Sequence, residues 1–483
     1  MRLVGLQRIL SMQPDMFLLQ RKSFFYIVEW YPDGNHCQRE GCSMAEWEGM
    51  DPERDYIERI PEFSGKKSGL PRVREFLGLL GNPDREFQIF HVAGTNGKGS
   101  VCAFLTAMLK EAGISCGTFI SPHLVEVRER FLINGEMVSR EAFLRAFEET
   151  REAVRRWMAA GEAHPTYFEF LFYLGLVLFR NAGVSVLVLE TGMGGLRDVT
   201  NVTERPLASV ITSISFDHMD YLGHTIPEIA GEKAGIIKTG VPLVYDASNP
   251  EAAQVIKRTA KEKNAPCLGI EAVPFSPADG GICFSVSYKG KKRSAFVPFS
   301  APYQAMNASL AVGAMEASGL PVSEDQVFSG LRKAKWPARM EEILPEVYLD
   351  GAHNEDGIRA FLEAACLLKE QKKPKRVLLL FGAVADKEYG KMLREVKEQL
   401  CPEWCILAQL AIYRAIPLEE LLKTAKEILE PETRVLPAED VGQAVSLLLK
   451  EKKPGELAFI AGSLYLAGEV KAYLDQKAGK EGL

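Results

Sequence analysis

The 483-residue chain lacks the marks of several protein classes. Positive charge is not in excess: 58 Lys and Arg stand against 64 Asp and Glu, a net charge of −6. A protein held on nucleic acid by general electrostatics needs the opposite balance, so no nucleic-acid partner is expected. An anionic substrate would need a local basic pocket instead. Nowhere do about 18 apolar residues run uninterrupted, as a membrane helix requires. The nearest stretch, Tyr167 to Phe179, contains Glu169 and reads as a buried helix. Phe24-Phe25-Tyr26-Ile27-Val28 is too short for a secretory core, and no small-residue cleavage site follows it. The expected location is the cytoplasm, with no membrane partner. The nine cysteines include no C-x-x-C pair, and their scatter through apolar segments reads as reduced thiols. Cys401 and Cys405 have no neighbouring His, which argues against a metal there. No repeat of solenoid period is present, which excludes a stacked array.

What is present is enough chain for more than one core. Hydrophobic residues at 47% and charged residues at 25% describe a globular protein. Residues 1–49 show no clear period and read as a poorly ordered extension or an artefact of start-site choice, with Met44 or Met50 as natural alternatives. From Gln88 strands alternate with helices. Strands are predicted at 89–93, 116–120, 184–190, 208–213 and 241–245, with helices over 139–161 and 166–182. That pattern is a doubly wound α/β domain. Ile282–Tyr288 and Arg293–Val297, joined through Gly290, read as an accessory hairpin. A second α/β run begins near Pro302, with strands near 346–350, 375–382, 403–408 and 456–461. The expected division is 50–299 and 300–483, with the boundary near Ser300.

The chemistry starts at Ile89-Phe90-His91-Val92-Ala93-Gly94-Thr95-Asn96-Gly97-Lys98-Gly99-Ser100. An apolar strand runs into a glycine-bracketed loop with a lysine, and an amphipathic helix follows. This is the context a phosphate-binding loop requires. Gly94 and Gly97 let the backbone N–H groups face an anion, and the helix adds its positive end. Lys98 can reach terminal phosphates as a point charge. Ser100 can offer a hydroxyl to Mg²⁺. The usual loop has a Gly where Val92 stands and Ser or Thr where Gly99 stands.

Other residues are ambiguous on their own. Glu190 closes the most apolar strand, where ligands of α/β sheets bind, and suits either Mg²⁺ or a cap on the following glycine turn. His218, after the strand ending at Ser213, reads as a structural histidine or as a metal ligand with Glu190 and Ser121. Lys233 reads as an ordinary helix lysine. Arg339 reads as a surface ion-pair partner or as a bidentate phosphate clamp.

The form Gly94-Thr95-Asn96-Gly97-Lys98-Gly99-Ser100 resembles the loop of the Mur-ligase superfamily, in its folylpolyglutamate and dihydrofolate synthase branch. The likeness runs from about Tyr56 to Tyr473 and includes Arg197-Asp198-Val199-Thr200-Asn201, Asp217-His218, Lys233-Ala234-Gly235, Trp336-Pro337-Ala338-Arg339 and Asp350-Gly351-Ala352-His353-Asn354. It implies an amino-terminal P-loop NTPase-like domain with a small β accessory, and a carboxy-terminal Rossmann-like glutamate-ligase domain. The implied cofactors are ATP and two Mg²⁺ ions. Ser121, Glu190, His218 and a carbamylated Lys233 are the implied metal ligands. Gly94 to Ser100, Gln304, Asn307, Arg339 and Asp350 are implied nucleotide contacts. Lys98, Lys233, His218 and His353 are the implied catalytic residues. Pro122, His123, Arg130, Phe168, Asp198 and Ser463 are implied substrate contacts, Asp198 to a pterin. Glu129, Tyr167 and Glu169 are expected beside them. Phe381-Gly382 through Asp386-Lys387 and Gly462 to Tyr465 complete the matching segments.

The reading is an ATP-dependent amide ligase joining L-glutamate to a folate or dihydropteroate, acting on small molecules as a monomer. Val199 and the order Leu196-Arg197 depart from the family pattern and bear on the dihydropteroate activity. The alternatives are a Mur-type peptidoglycan ligase, a P-loop kinase and a nucleotide-binding regulator.

Overall fold

A computed structural model of the chain describes residues 52–61, 69–385, 387–412 and 414–481. The extension 1–49 and Asp386 lie outside the described residues. Among the described residues the strands form three sheets. The first holds β1 (Gln88–Ala93), β2 (Cys116–Phe119), β3 (Phe131–Ile133), β4 (Glu136–Met137), β5 (Val186–Glu190), β6 (Ala208–Ile211), β7 (Leu243–Asp246) and β8 (Cys267–Ile270). Their order is β4-β3-β2-β5-β1-β6-β7-β8. From β2 to β8 every pairing is parallel, and β3 and β4 add an antiparallel edge.

Strand β5 shows why this sheet is buried on both faces. Its side chains alternate between two cores: Val186 and Val188 join one cluster, Leu187 and Leu189 the other. In β1, Phe90 and Val92 face the first cluster and Ile89 the second. Helix Lys98–Glu111 covers one face, and helices Arg140–Ala159 and Tyr167–Asn181 the other. The acid in the apolar run has a local explanation. Glu169 closes a capping box with Thr166, its Oε2 accepting from Thr166 N at 2.7 Å. No helix among the described residues is long and apolar enough to cross a membrane.

The expected hairpin is a three-stranded sheet, β11-β10-β9, of β9 (Phe275–Ala278), β10 (Gly281–Tyr288) and β11 (Lys291–Val297). Beyond it the structure departs from the boundary expected near Ser300. Helices Tyr303–Ala317 and Glu324–Lys333 bury Leu310, Val312, Val327 and Leu331 in the same core as Phe104 and Met108 of helix Lys98–Glu111. The first lobe therefore keeps these helices, because their apolar faces cover its sheet and the accessory strands.

The second lobe's sheet has β12 (Glu341–Leu344), β13 (Val347–Leu349), β14 (Val377–Phe381), β15 (Trp404–Ala408), β16 (Arg434–Ala438) and β17 (Leu457–Ala461). The order is β12-β13-β17-β14-β15-β16, parallel except for β12 against β13. β14 again divides its side chains: Val377, Leu379 and Phe381 to one core, Leu378 and Leu380 to the other. β16 carries no strand signal in the sequence, because Pro437 interrupts a short run.

One helix contact of the first lobe reverses an intrinsic preference. A Cβ on Gly330 would lie 2.6 Å from Met108 Cα and 2.7 Å from Met108 N. Helix propensity alone favours Gly330→Ala by about 1 kcal/mol. The backbone contact instead makes it destabilising, by roughly 1–3 kcal/mol. Chemical denaturation decides between the two signs, and a variant as stable as the parent would exclude the close helix approach.

Candidate active site

β1 lies between β5 and β6 at the point where the chain's crossovers change direction, and ligands of open parallel sheets bind outside such a point. The loop leaving β1 begins helix Lys98–Glu111, with Gly97 as its N-cap at φ 90°. A Cβ on Gly97 would lie 2.4 Å from Asn307 Oδ1, so both the dihedral and the space require glycine. Thr212 Oγ1 donates to Asn96 O at 2.7 Å and Thr95 N donates to Ser213 O at 2.7 Å, which fastens the loop to the segment after β6. The departure at Gly99 also finds a cause. A Cβ there would meet the Trp336 indole at 2.5 Å, because Trp336 of the lobe connection packs on the loop.

A cleft of about 840 Å³ opens over this loop. Gly94 to Ser100, Ser121, Pro122, Arg130, Phe168, Glu190, Asp198, His218, Lys233, Asn307, Arg339, Asp350 and His353 all line it. Glu190 shares the parity of Val186 and Val188, so it faces the side of helix Lys98–Glu111. Its Oε1 lies 4.0 Å from Lys98 Nζ, and its Oε2 accepts from Ser121 N at 3.1 Å. Burial raises its pKa to about 7, against the lowering influence of Lys98. Lys98 donates to Gly94 O at 3.2 Å and to Thr95 O at 3.0 Å. Lys233 donates to the same Gly94 O at 2.7 Å from the last turn of helix Ile226–Ala234. It is 3% exposed, and burial followed by repulsion from Lys98 brings its pKa down to about 7. A buried amine of this kind loses its proton more readily than an exposed helix lysine.

His218 sits at φ 49° before a one-turn helix, with its side chain 49% exposed and Nε2 4.0 Å from Asp217 Oδ2. Asp217 itself is held well below the usual carboxylate range, because His218 and Lys387 outweigh the effect of burial. Arg130, 6% exposed, donates from Nε to His123 Nδ1 at 2.9 Å and stacks over the Tyr167 ring at 5.6 Å.

The second lobe supplies Arg339, Asp350 and His353. Arg339 Nη1 donates to Ala338 O at 2.7 Å, and among the described residues no carboxylate lies within ion-pair distance of it. Asp350 is buried and accepts from Tyr303 Oη and Met340 N, each at 2.9 Å, and from Ala352 N at 2.8 Å. His353 Nδ1 lies 2.8 Å from Gly351 O, so that nitrogen carries the proton and Nε2 is left as an acceptor. Burial lowers its pKa to about 4, and the ring is neutral at pH 7. The lobes meet through side chains. Asn96 and Asn354 exchange two hydrogen bonds of 3.2 Å, and Asp217 accepts from Asn354 Nδ2 at 3.0 Å and from Lys387 Nζ at 2.6 Å.

Four expected contacts lie outside the cleft lining. Glu129 accepts from Leu124 N at 2.7 Å and from Val125 N and Glu126 N at 2.9 Å, so its carboxylate is spent on the local backbone. Gln304 is fully buried behind the loop and donates to Ser100 Oγ at 3.2 Å. His123 stands behind Arg130, and burial, with Arg130 beside it, lowers its pKa to about 3, so it is a neutral acceptor. Ser463 is buried and accepts from Tyr465 N at 3.1 Å, within its own helix start. Gln304 supports Ser100 and His123 supports Arg130, both of which line the cleft. Sequence reading matched Asp217 and Lys387 as motif members but gave no sign that they pair across the lobes.

A phosphate loop facing a buried acid and two lysines, closed by a second α/β lobe, defines a nucleotide-dependent ligase of the Mur type. The family models agree: "Mur ligase middle domain" matches residues 92–315 and "Mur ligase, glutamate ligase domain" residues 338–464. The chain belongs to this superfamily, in its folylpolyglutamate and dihydrofolate synthase family. It is 36% identical over 428 residues to the dihydrofolate synthase/folylpolyglutamate synthase of Bacillus subtilis, covering 85% of this chain and 96% of that one. With the Escherichia coli enzyme of the same description it shares 31% over 414 residues, 85% of this chain and 92% of the other. Mycobacterium tuberculosis folylpolyglutamate synthase complexed with ADP superposes with a TM-score of 0.79 at 28% identity, covering 87% of this chain and 96% of that one. Escherichia coli FolC in complex with DHPP and ADP gives 0.75 at 30% identity, covering 88% and 98%.

The Trp336–Gly99 contact generates a test. Gly99→Ser restores the commoner loop residue but pushes a Cβ into the indole, and should cost roughly 1–3 kcal/mol of stability. Adding Trp336→Ala should cost less in the Gly99→Ser background than in the parent, a coupling a double-mutant cycle measures. Strict additivity would show that the indole does not press on the loop.

Proposed function

We propose that this protein is an ATP-dependent ligase that adds L-glutamate to folates, and that dihydropteroate is a second acceptor. The observation that carries the reading is the convergence on one cleft of the phosphate loop, the Glu190–Lys98–Lys233 group and the Asp350–His353 turn of the opposite lobe. The substrates are small molecules, and the enzyme works as a monomer in the cytoplasm.

The residues divide the labour as follows. The loop N–H groups and Lys98 hold the nucleotide phosphates, with Arg339 approaching from the second lobe. Asn307 and Asp350 hold the rest of the nucleotide, the latter near the ribose. The acceptor lies along Pro122, Arg130, Phe168 and Asp198. Its carboxylate oxygen attacks the terminal phosphorus, the bond to ADP breaks, and an acyl phosphate forms. The amine of glutamate then attacks the acyl carbon, phosphate leaves, and the amine loses a proton. His353, neutral with Nε2 bare, can accept a hydrogen bond from that amine.

The donor set suits Mg²⁺. Glu190 is a carboxylate whose pKa burial raises, and Ser100 and Ser121 add oxygens. Among the described residues no group of three or more His, Cys, Asp or Glu forms a closed cage, as fits an ion completed by waters and phosphate. A second ion would take His218 and a carbamate on Lys233. When bound, the ions offset the charge on the transferring phosphoryl group. The carbamate arises when the neutral Lys233 amine attacks CO₂, forming an N–C bond and releasing a proton.

Two measurements test these assignments. Lys98→Ala should fold normally and lose roughly 10²–10³-fold in glutamate-dependent ADP release, assayed separately with tetrahydrofolate and dihydropteroate; undiminished turnover would remove the phosphate-loop assignment. For Lys233 the sign follows from its lowered pKa. Below about 7 the amine is protonated and inert; above it the amine is free. A ¹³C carbamate signal from labelled bicarbonate should therefore grow as pH rises through about 7 and be missing in Lys233→Ala. A signal independent of Lys233 would end the carbamate reading.

A further inference from the structure

His91 lies in the middle of β1, fully buried and outside the cleft lining. Its parity with Ile89 turns it to the sheet face opposite helix Lys98–Glu111, toward the turn Val199–Val202. There Nε2 lies 2.9 Å from Thr200 Oγ1, and Nδ1 has no partner. Thr200 Oγ1 is 2.6 Å from Asp198 Oδ1, and Asp198 does line the cleft.

Counting protons fixes the direction of this chain. The Thr200 hydroxyl has one proton, which it donates to the carboxylate. Its oxygen can then only accept from His91, so Nε2 carries the ring proton and Nδ1 is bare. The opposite tautomer would bury an N–H with no acceptor, which costs more than a bare ring nitrogen. Asp198 is held from other sides too. Oδ1 also accepts from Thr200 N at 3.0 Å, and Oδ2 from Met193 N at 2.9 Å. The Gly192 N–H adds to the donors around this carboxylate, which still lines the cleft.

We propose that His91 and Thr200 are positioning residues that lock Asp198 in one orientation as an anionic acceptor for a donor group of the acceptor substrate. The inference rests on Asp198 being a contact of that substrate. Burial keeps His91 neutral down to about pH 3. Burial also raises the Asp198 pKa, and the donors from Thr200, Met193 and Gly192 oppose that shift and favour the anion.

The test compares three variants of the full chain in steady-state kinetics, varying the pteroate or folate acceptor and ATP separately. Thr200→Val keeps the shape and removes the hydroxyl; it should raise the acceptor KM about 5- to 10-fold and leave the ATP KM within about twofold, an effect on the order of one ordinary hydrogen bond. Thr200→Ser restores the hydroxyl and should return the acceptor KM to near the parent value. Asp198→Asn separates the two levels of the argument. If it raises the acceptor KM while Thr200→Val does not, the positioning role falls and the Asp198 contact stands. If neither moves that KM, both fall. A purely structural Thr200 would lower the melting temperature without moving the acceptor KM. Should Thr200→Val fail to fold, ¹⁵N NMR of the parent decides, with the His91 resonance assigned by its loss in His91→Gln. The Nε2–H tautomer is expected, and an Nδ1–H tautomer would overturn the proposal.

Discussion

The site depends on a single backbone carbonyl, that of Gly94, which accepts from two lysine ammonium groups at once. Like charges so placed repel, and burial removes the water that would screen them. Lys98, rooted at the helix start, reaches the outer part of the loop. Lys233 arrives from a different helix and is sealed beneath it. The inner lysine bears the consequence, its pKa falling to about 7. Glu190, within 4.0 Å of Lys98, has the complementary problem of a carboxylate out of water. Burial thus pushes a base and an acid of this one group toward their neutral forms.

Around that group the two lobes are joined by polar side chains. Asn96 at the tip of the phosphate loop bonds to Asn354, which caps the helix Glu355–Lys372 through Gly357 N at 2.7 Å. The residue that meets the nucleotide loop thus also starts a helix of the other lobe. Lys387 and Asp217, both mostly buried, add an ion pair across the lobes at 2.6 Å. Buried from water, such a pair is costly to break on one side only. Trp336 contributes packing instead, its indole lying on Gly99. Loop, lobe connection and second lobe are therefore one mechanical unit, which explains why the loop departs from the commoner pattern at Gly99.

Local pattern decided much of this molecule. The β-branched run Val186 to Leu189, the apolar run Val377 to Phe381 and the glycine-bracketed Lys98 each carry their own physics. A period of two with no polar face can only be a strand covered on both sides, and a strand-loop-helix with such a lysine binds phosphate. Capping chemistry was equally local: Glu169 follows Thr166 at the spacing that closes a capping box. What pattern could not assign was ownership. Helices Tyr303–Ala317 and Glu324–Lys333 look like the start of a second domain, yet Gly330 fits only against Met108.

The sequence by itself therefore determined most of the elements, their order and the residue types gathered for phosphate and carboxylate chemistry. Only the tertiary structure decided which of those residues act from the front and which from behind. Gln304, His123 and Ser463 read as contacts but stand one layer back, because a hydrogen bond to Ser100, Arg130 or a neighbouring backbone uses their polar atoms. His91, unremarked among apolar neighbours, reaches the cleft through Thr200. The near-neutral pKa of Lys233 also belongs to the fold alone: it arises from burial and from Lys98, two conditions that exist only when segments 135 residues apart in the chain share one carbonyl.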